Sequence, residues 1–394
     1  MTAGNRGIQC PAKSDVGRPA RDQLVSGRMG SCGGDLVGFG VNRLLRVEGM
    51  LELGPDNVVE YLHASGRLDP AVAATAHTLA WGVSNAVLRI QPTKGDDFVL
   101  KQSRGKLRTE ADWFSRLDRI FRECELMQTL APLLPTGTVP EVLFEDRDNY
   151  LFAMEAVQAD HTVWKADLLA GRADTQIAAR MGTILAAIHR ETAGNAVLRD
   201  QWGDTEVFVQ LRVDPFYRRI AQVHPDLRKP VESMIATMFD NPLCVVHADF
   251  SPKNILLTTR GPVLVDFETG HFGDPAFDLG FFLSHLLLKT VLFASRRSEY
   301  LALVKEFLKR YFAELRVPDR SSPMSSSALA GRTIPHLAAC MLSRIDGTSR
   351  IDYLREERQQ KLVRHFCRDL FLSPPTDLNA VFDKLDGELS KEPS

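Results

Sequence analysis

A change of period near residue 155 constrains this chain more than any other feature. Upstream of it, apolar residues gather into short runs, SNAVLRIQ and DFVLKQ on either side of the turn-like PTKGD, with YLFAME following inside 145–155. Runs of this kind bounded by Gly, Pro and Asp predict a hairpin and a further strand. Downstream, apolar spacing of three and four residues predicts long helices, as over 175–190. One β-rich island, 243–267, interrupts that helical half with LCVVH, NILLTT and PVLVDFE, joined by a polar loop and a turn. Strands gathered in one part and helices in the other predict an α+β chain rather than an alternating α/β one. We expect two lobes, a small β-rich one over 50–155 and a larger, mostly helical one over 156–375.

The ends read differently. Residues 1–49 are rich in Gly and Arg, nearly free of aromatics and without a sustained period, which predicts a disordered leader. Folded structure is expected from Met50, as it would be downstream of an overextended start codon, with Val58, Val59, Tyr61 and Leu62 at helical spacing. A helix is expected over 109–130, and a polar tail with frayed last residues over 376–394.

Charge narrows the partners. The 394 residues carry 48 Lys and Arg against 50 Asp and Glu, a formal charge of -2. No long-range field favours nucleic acid or an anionic membrane, so a small molecule is the expected partner. The six cysteines lack CxxC spacing, which fits a reducing compartment. No signal-peptide pattern opens the chain, and the apolar stretch 279–288 is broken by Ser284 and His285 and is too short to span a bilayer. A cytoplasmic protein without a membrane segment is expected, monomeric or homodimeric.

The chemistry-bearing pattern lies in the β island. His247-Ala-Asp-Phe-Ser-Pro-Lys-Asn254 follows its first strand, and Val265-Asp266-Phe267-Glu268 ends its last. Asp, Ser, Pro and Asn are all turn formers, so the loop alone reads as a polar turn. Three hits in order, Asp249, Asn254 and Asp266, mirror instead the kinase H-x-D-x-x-x-x-N and D-F-G elements. Phosphoryl transfer from ATP needs a carboxylate near the acceptor hydroxyl and metal ions bridging phosphate oxygens. On that pattern Asp249 orients or accepts the substrate proton, Asn254 and Asp266 hold Mg2+, Glu268 adds a metal or water contact, and His247 is structural.

Upstream counterparts exist for the rest of a nucleotide site. Gly82, Ser84 and Asn85 in Trp81-Gly-Val-Ser-Asn85 lie between a helix and a strand, where glycine lets backbone amides approach a phosphate. Lys101 ends DFVLK on the face of Val99, opposite Phe98 and Leu100. A helix glutamate should hold that lysine. Glu123 shares a face with Ile120 and Met127, and Glu125 is the second choice. Glu155 and Val157 in Met154-Glu-Ala-Val157 would set backbone groups against adenine.

These motifs, with Gly273-Asp-Pro-Ala-Phe-Asp-Leu-Gly280, resemble the aminoglycoside phosphotransferase and choline kinase family over roughly 78–290, and more weakly to about 355. The resemblance implies a two-lobed protein-kinase-like fold and an ATP- and Mg2+-dependent kinase acting on a small-molecule hydroxyl. It implies that Asp278 braces the catalytic loop, with Asp274 or Asp278 also able to cap the following helix. His189 in LAAIHR resembles the family's L-x-x-L-H helix, and its place in an apolar stripe favours a packed core histidine over a catalytic one. The family's HGD glycine is Ala248 here, still a small residue. The D-x-E pair Asp266 and Glu268 and the segment Trp164-Lys165 with Leu168 and Gly171 lean toward the methylthioribose kinase branch. In CMLSRIDGTSRIDYL, Arg344 matches the second of that branch's paired arginines and Ser343 stands in place of the first. Arg344 is therefore taken as a substrate contact, or else as a surface arginine at a helix end. Arg212, Asp214, Tyr217, His285 and Lys289 are further candidates for touching the acceptor. An aminoglycoside-inactivating enzyme would need acidic pocket segments for its polycationic substrate, and these mix Arg, Lys and His, which favours a neutral or anionic acceptor. A non-catalytic nucleotide-binding module could dispense with Asp249 or a metal ligand, and this chain keeps both.

Overall fold

The computed structural model describes residues 46–47, 50–79, 85–104, 115–317 and 319–391. The expected leader lies outside the described residues except for Arg46–Val47, which pair antiparallel with Met50–Leu51. Strand pairing therefore starts a few residues ahead of the expected boundary at Met50.

The N-terminal lobe is an antiparallel sheet of five strands in the order Ala74–Thr78, Asn85–Pro92, Phe98–Ser103, Leu151–Glu155, Val142–Asp146. The predicted hairpin pairs Leu88 with Leu100, and Lys101 with Val87 on one side and Phe152 on the other. Alternation along the strands sorts the side chains to two faces. Leu88, Ile90, Phe98 and Leu100 pack with Val58, Tyr61 and Leu62 of the helix Val58–Ala64. Val87, Val99, Phe152 and Met154 face the other way, into the main core with Ile120, Phe121 and Cys124. Lys101 follows Val99, so the register carries it toward the second lobe.

The helix expected over 109–130 runs from Arg119 to Leu130. Residues 115–118 are not helical, and the part of that expectation over 109–114 lies outside the described residues.

The C-terminal lobe is helical around the β island. Cys244–Val246 pairs with His271–Gly273, while Ile255–Thr258 pairs with Gly261–Leu264 and with Thr162–Val163. Behind it runs the helix Pro275–Leu292, in which every residue from Pro275 to Val291 is buried. It is the one described helix long and apolar enough to cross a bilayer, and 94% of it is buried inside the protein. Such a helix is apolar all round because it is surrounded. The expected polar tail proves to be a helix, Leu378–Ser390, with Leu378, Val381, Phe382, Leu385 and Leu389 buried. Its spacing of three and four was visible in the sequence beneath a polar composition.

Thr175–Thr192 and Arg297–Leu315 pack so closely that a Cβ on Gly182 would lie 2.3 Å from the Phe307 carbonyl oxygen. Gly182→Ala should therefore destabilise. The gain in helix propensity of about 1 kcal/mol is outweighed by forcing two backbones apart, at about 1–3 kcal/mol. Urea unfolding checks this, and an unchanged or raised midpoint would contradict it.

Candidate active site

Three elements from different parts of the chain meet at one ammonium. Lys101 Nζ donates to Glu123 Oε1 at 2.8 Å and to Asp266 Oδ1 at 2.7 Å, and all three side chains are buried. The sheet supplies the lysine, Arg119–Leu130 the glutamate, and the end of the β island the aspartate. Glu125, the alternative partner, pairs instead with Arg147 at the surface. Burial opposes the charge on Lys101, but Asp266, Glu123 and Glu268 overcome it and hold the ammonium above its ordinary value. Burial pushes Glu123 up to about 7 against the pull of Lys101. The same burial would raise Asp266, yet Lys101 and Lys253 hold it well below the usual carboxylate range.

Asp266 sits at φ +74°, a left-handed conformation that costs a non-glycine residue about 1–3 kcal/mol. That turn of the backbone aims its carboxylate at the lobe junction. Glu268, two residues on, accepts from Asn85 Nδ2 at 2.9 Å and from Arg119 Nε at 3.1 Å. Asn85 thus binds the far lobe's glutamate. Gly82 and Ser84, expected beside it, lie outside the described residues. Arg119 was not singled out in the sequence, because an arginine opening a helix after a charged stretch looks like any surface residue.

The loop after Cys244–Val246 is held from behind. Asp278 accepts from the backbone amides of His247 and Ala248, both at 2.8 Å, and faces His189 Nε2 at 3.2 Å. Asp274 is the residue that caps the helix, accepting from Ala276 N at 2.9 Å. Ala248 lies at φ +58°, a left-handed conformation that glycine adopts without the steric cost of a Cβ. His247 is buried, with Nδ1 accepting from the Asp249 amide at 3.2 Å and burial lowering its basicity.

The braced loop presents Asp249 and Asn254 side by side. Asn254 Nδ2 donates to Asp249 Oδ2 at 2.7 Å, and Lys253 Nζ lies 2.8 Å from the same oxygen and 4.0 Å from Asp266. Arg212 Nη2 approaches Asp249 Oδ1 to 2.8 Å, but that oxygen accepts no well-aligned hydrogen bond. Burial would raise the Asp249 carboxyl, and Arg212 and Lys253 instead hold it below its ordinary value. Arg212 is placed by a π-helical stretch, Val209–Arg218, a rare conformation that recurs at functional sites. Lys253 was missed in the sequence despite lying four residues after Asp249.

Oxygen donors for a hard cation are present. Glu123, Asp266 and Glu268 each bring one carboxylate oxygen to within 4.8 Å of the others. Asn254 Oδ1 is buried without a hydrogen-bond partner. Carboxylate and amide oxygens are the donors Mg2+ takes, so the residues fit the ion expected from the sequence.

Two spaces adjoin this centre. A narrow slot of about 60 Å³ between the lobes is lined by Leu79, Val87, Val99, Met154, Leu256 and Val265, with Lys101 and Asp266 at its end. Glu155 and Val157 border it, and the Val157 carbonyl accepts from Arg89 Nη1 at 3.1 Å. A cavity of about 280 Å³ opens beside Asp249 and takes in Arg212, His285, Lys289 and Arg344. Arg344 is buried there and is not a surface residue. Asp214 and Tyr217 are elsewhere: the first pairs with Arg218 at the surface, and the second is buried against His336. A larger space of about 560 Å³ behind residues 155–158 is lined by none of Lys101, Asp249, Asn254 or Asp266.

The sequence profile of the phosphotransferase enzyme family, APH, matches residues 75–323, the span that holds every element just described up to Asp278 and Lys289. The chain belongs to this phosphotransferase family. Among curated relatives, methylthioribose kinase of Yersinia pestis (strain Pestoides F) is 24% identical over 261 residues, covering 59% of this chain and 63% of the relative. Methylthioribose kinase of Pectobacterium atrosepticum is 25% identical over 262 residues, covering 59% and 65%. The chain thus spans somewhat less than two thirds of these relatives. A macrolide 2'-phosphotransferase from Brachybacterium faecium has a TM-score of 0.46 at 19% identity, with 86% of this chain and 99% of that one covered.

Lys289 gives this family member a pH signature. Burial first, then Lys165 and Arg344, pushes its ammonium down to about 7. An unfolded lysine titrates near 10.4, so between about pH 7 and 10 the unfolded chain binds a proton that the folded one does not, and stability rises with pH. In buffers free of carboxylate and phosphate, wild-type stability should rise from pH 7 to 9 relative to Lys289→Met. Parallel curves in urea unfolding would refute this.

Proposed function

We propose that this protein is a small-molecule kinase that transfers the terminal phosphate of Mg-ATP to a hydroxyl of a sugar, polyol, amino alcohol or related metabolite. The observation that carries the reading is the junction of Lys101, Glu123 and Asp266 within reach of the braced pair Asp249 and Asn254. Those groups come from both lobes, and a purely structural ion pair would not need an adjoining buried amide oxygen without a partner.

In this mechanism the apolar slot between the lobes receives adenine, with the backbone of Glu155 to Val157 at its edge. Lys101 orients phosphate oxygens while Glu123 holds its ammonium in place. Asn254 and Asp266 would hold Mg2+, with Glu268 beside them; the ion would neutralise charge on the phosphates. Asp249 Oδ1, lacking an aligned donor, accepts the hydrogen bond of the acceptor hydroxyl and points its oxygen at the phosphorus. Its depressed basicity suits a loose transition state, in which the proton leaves the hydroxyl late. Lys253, between Asp249 and Asp266, stabilises the charge spread over the transferring phosphoryl oxygens.

Two alternatives are less well supported. A polycationic aminoglycoside would meet the cations of the acceptor cavity, which favours another acceptor. A non-catalytic nucleotide-binding module would have no use for Asp249, set between Arg212 and Lys253. Ser343 stands in place of the first of the paired arginines, which argues against methylthioribose, the substrate named for the relatives, as the acceptor.

Asp249→Asn keeps the shape of the loop and removes the proton acceptor. Screening wild type against a metabolite panel for ATP consumption identifies a working acceptor. With it, the variant should lose a factor on the order of 100 or more in kcat and still bind ADP with Mg2+. Equal turnover would remove Asp249 from the mechanism.

A further inference from the structure

The cavity beside Asp249 holds more cations than phosphoryl transfer uses. Lys165, Arg212, Lys253, Lys289, Arg344 and Arg350 line it, while three of its four carboxylates, Asp249, Asp266 and Glu268, lie at the transfer end. The fourth is Asp352. Arg212 and Lys253 share the single carboxylate of Asp249, each at 2.8 Å. Lys289 and Arg344 have no carboxylate within ion-pair distance among the described residues.

Their surroundings make this unusual. Lys289 is fully buried, its Nζ donates to the His285 carbonyl of its own helix at 3.1 Å, and the Tyr353 ring centroid lies 5.3 Å away. Arg344, 9% exposed, uses Nη1 on the Ser349 carbonyl and hydroxyl, stacks over Phe216 and leaves Nε without a partner. His285, also 9% exposed, leaves Nε2 without a partner. Burying cations without a counter-charge costs several kcal/mol each, and apolar side chains would fill these positions at no such cost. His285 and Lys289 are one turn apart on the helix Pro275–Leu292, and Arg344 comes from the neighbouring helix Ser326–Asp346. Two helices thus bring an ammonium, a guanidinium and an imidazole to the cavity that the proposed proton acceptor, Asp249, also lines.

Resting on the kinase reading, we infer that the acceptor is an anion: a small hydroxylated molecule whose carboxylate or phosphate is seated by Lys289 and Arg344 while its hydroxyl faces Asp249. A planar guanidinium and a compact ammonium together suit an oxyanion with several acceptor oxygens. Burial and its cationic neighbours weaken the hold of Lys289 on its proton, and an anion seated there restores it. The cavity of about 280 Å³ is at the small end for ligand sites, which fits a short sugar acid or sugar phosphate.

Binding and turnover test this separately. Calorimetry in the presence of ADP and Mg2+ compares gluconate with sorbitol, and ribose 5-phosphate with ribose. At least one acid should bind about tenfold or more tightly than its neutral twin, and the pair that shows it tells carboxylate from phosphate. Lys289→Met and Arg344→Met, each checked for folding, should erase the preference; if one does not fold, the other carries the test. The inference is overturned if neither acid outbinds its twin, or if the preference survives in a folded variant. ATP consumption with the same compounds and a wider panel keeps the two readings apart. Acid selectivity without any ATP consumption would sink the kinase reading alone, and equal use of neutral acceptors would sink the anionic acceptor alone.

Discussion

A single buried ammonium organises this molecule. Lys101 reaches Glu123 on the helix of its own lobe and Asp266 on the β island of the other, at 2.8 and 2.7 Å. Removing one partner from a buried ion pair costs about 3–5 kcal/mol, so the lysine, the helix and the island constrain one another strongly. The sheet register that puts Lys101 on the face of Val99, and the left-handed turn at Asp266, both serve this contact. Arg119 and Asn85 repeat it a few ångströms away by gripping Glu268. Two lobes of different architecture therefore meet through paired charges surrounded by apolar packing.

From that junction the charges follow an order along the cleft. Carboxylates cluster where a cation would sit, then Asp249 stands between Arg212 and Lys253, and beyond it lie Lys289 and Arg344, with no carboxylate within ion-pair distance among the described residues. Under the proposed mechanism a metal ion, the transferring phosphoryl group and an anionic acceptor would each meet groups of opposite charge in this order. The loop that carries Asp249 is fixed by Asp278 through two backbone amides, which keeps the order from depending on mobile side chains.

Much of this was legible in the residues. The strands of the hairpin and the β island alternate or run apolar, and they form where expected; Lys101, Glu123, Asp249, Asn254 and Asp266 converge because each stands at a fixed offset from such a strand or helix. What was illegible depends on tertiary partners. Arg119 and Lys253 look like surface cations until a distant carboxylate or a cavity is placed beside them. The helix Leu378–Ser390 was hidden by its charged face, although its apolar stripe is regular. The edge strand Ala74–Thr78 pairs only because Asn85–Pro92 offers a free edge, and its small and polar residues carry little strand signal. His285 and Lys289 stood out as polar residues in an apolar helix, but only the packing of a second helix gave them Arg344 as a neighbour.

The account depends on Asp266 serving nucleotide phosphates through a metal ion, and magnesium dependence of nucleotide affinity tests that directly. A fluorescent ADP analogue titrated with and without Mg2+ should bind wild type about tenfold or more tightly when the ion is present. Asp266→Asn should bind the analogue equally in both conditions. Full retention of the magnesium effect in that variant would contradict the account.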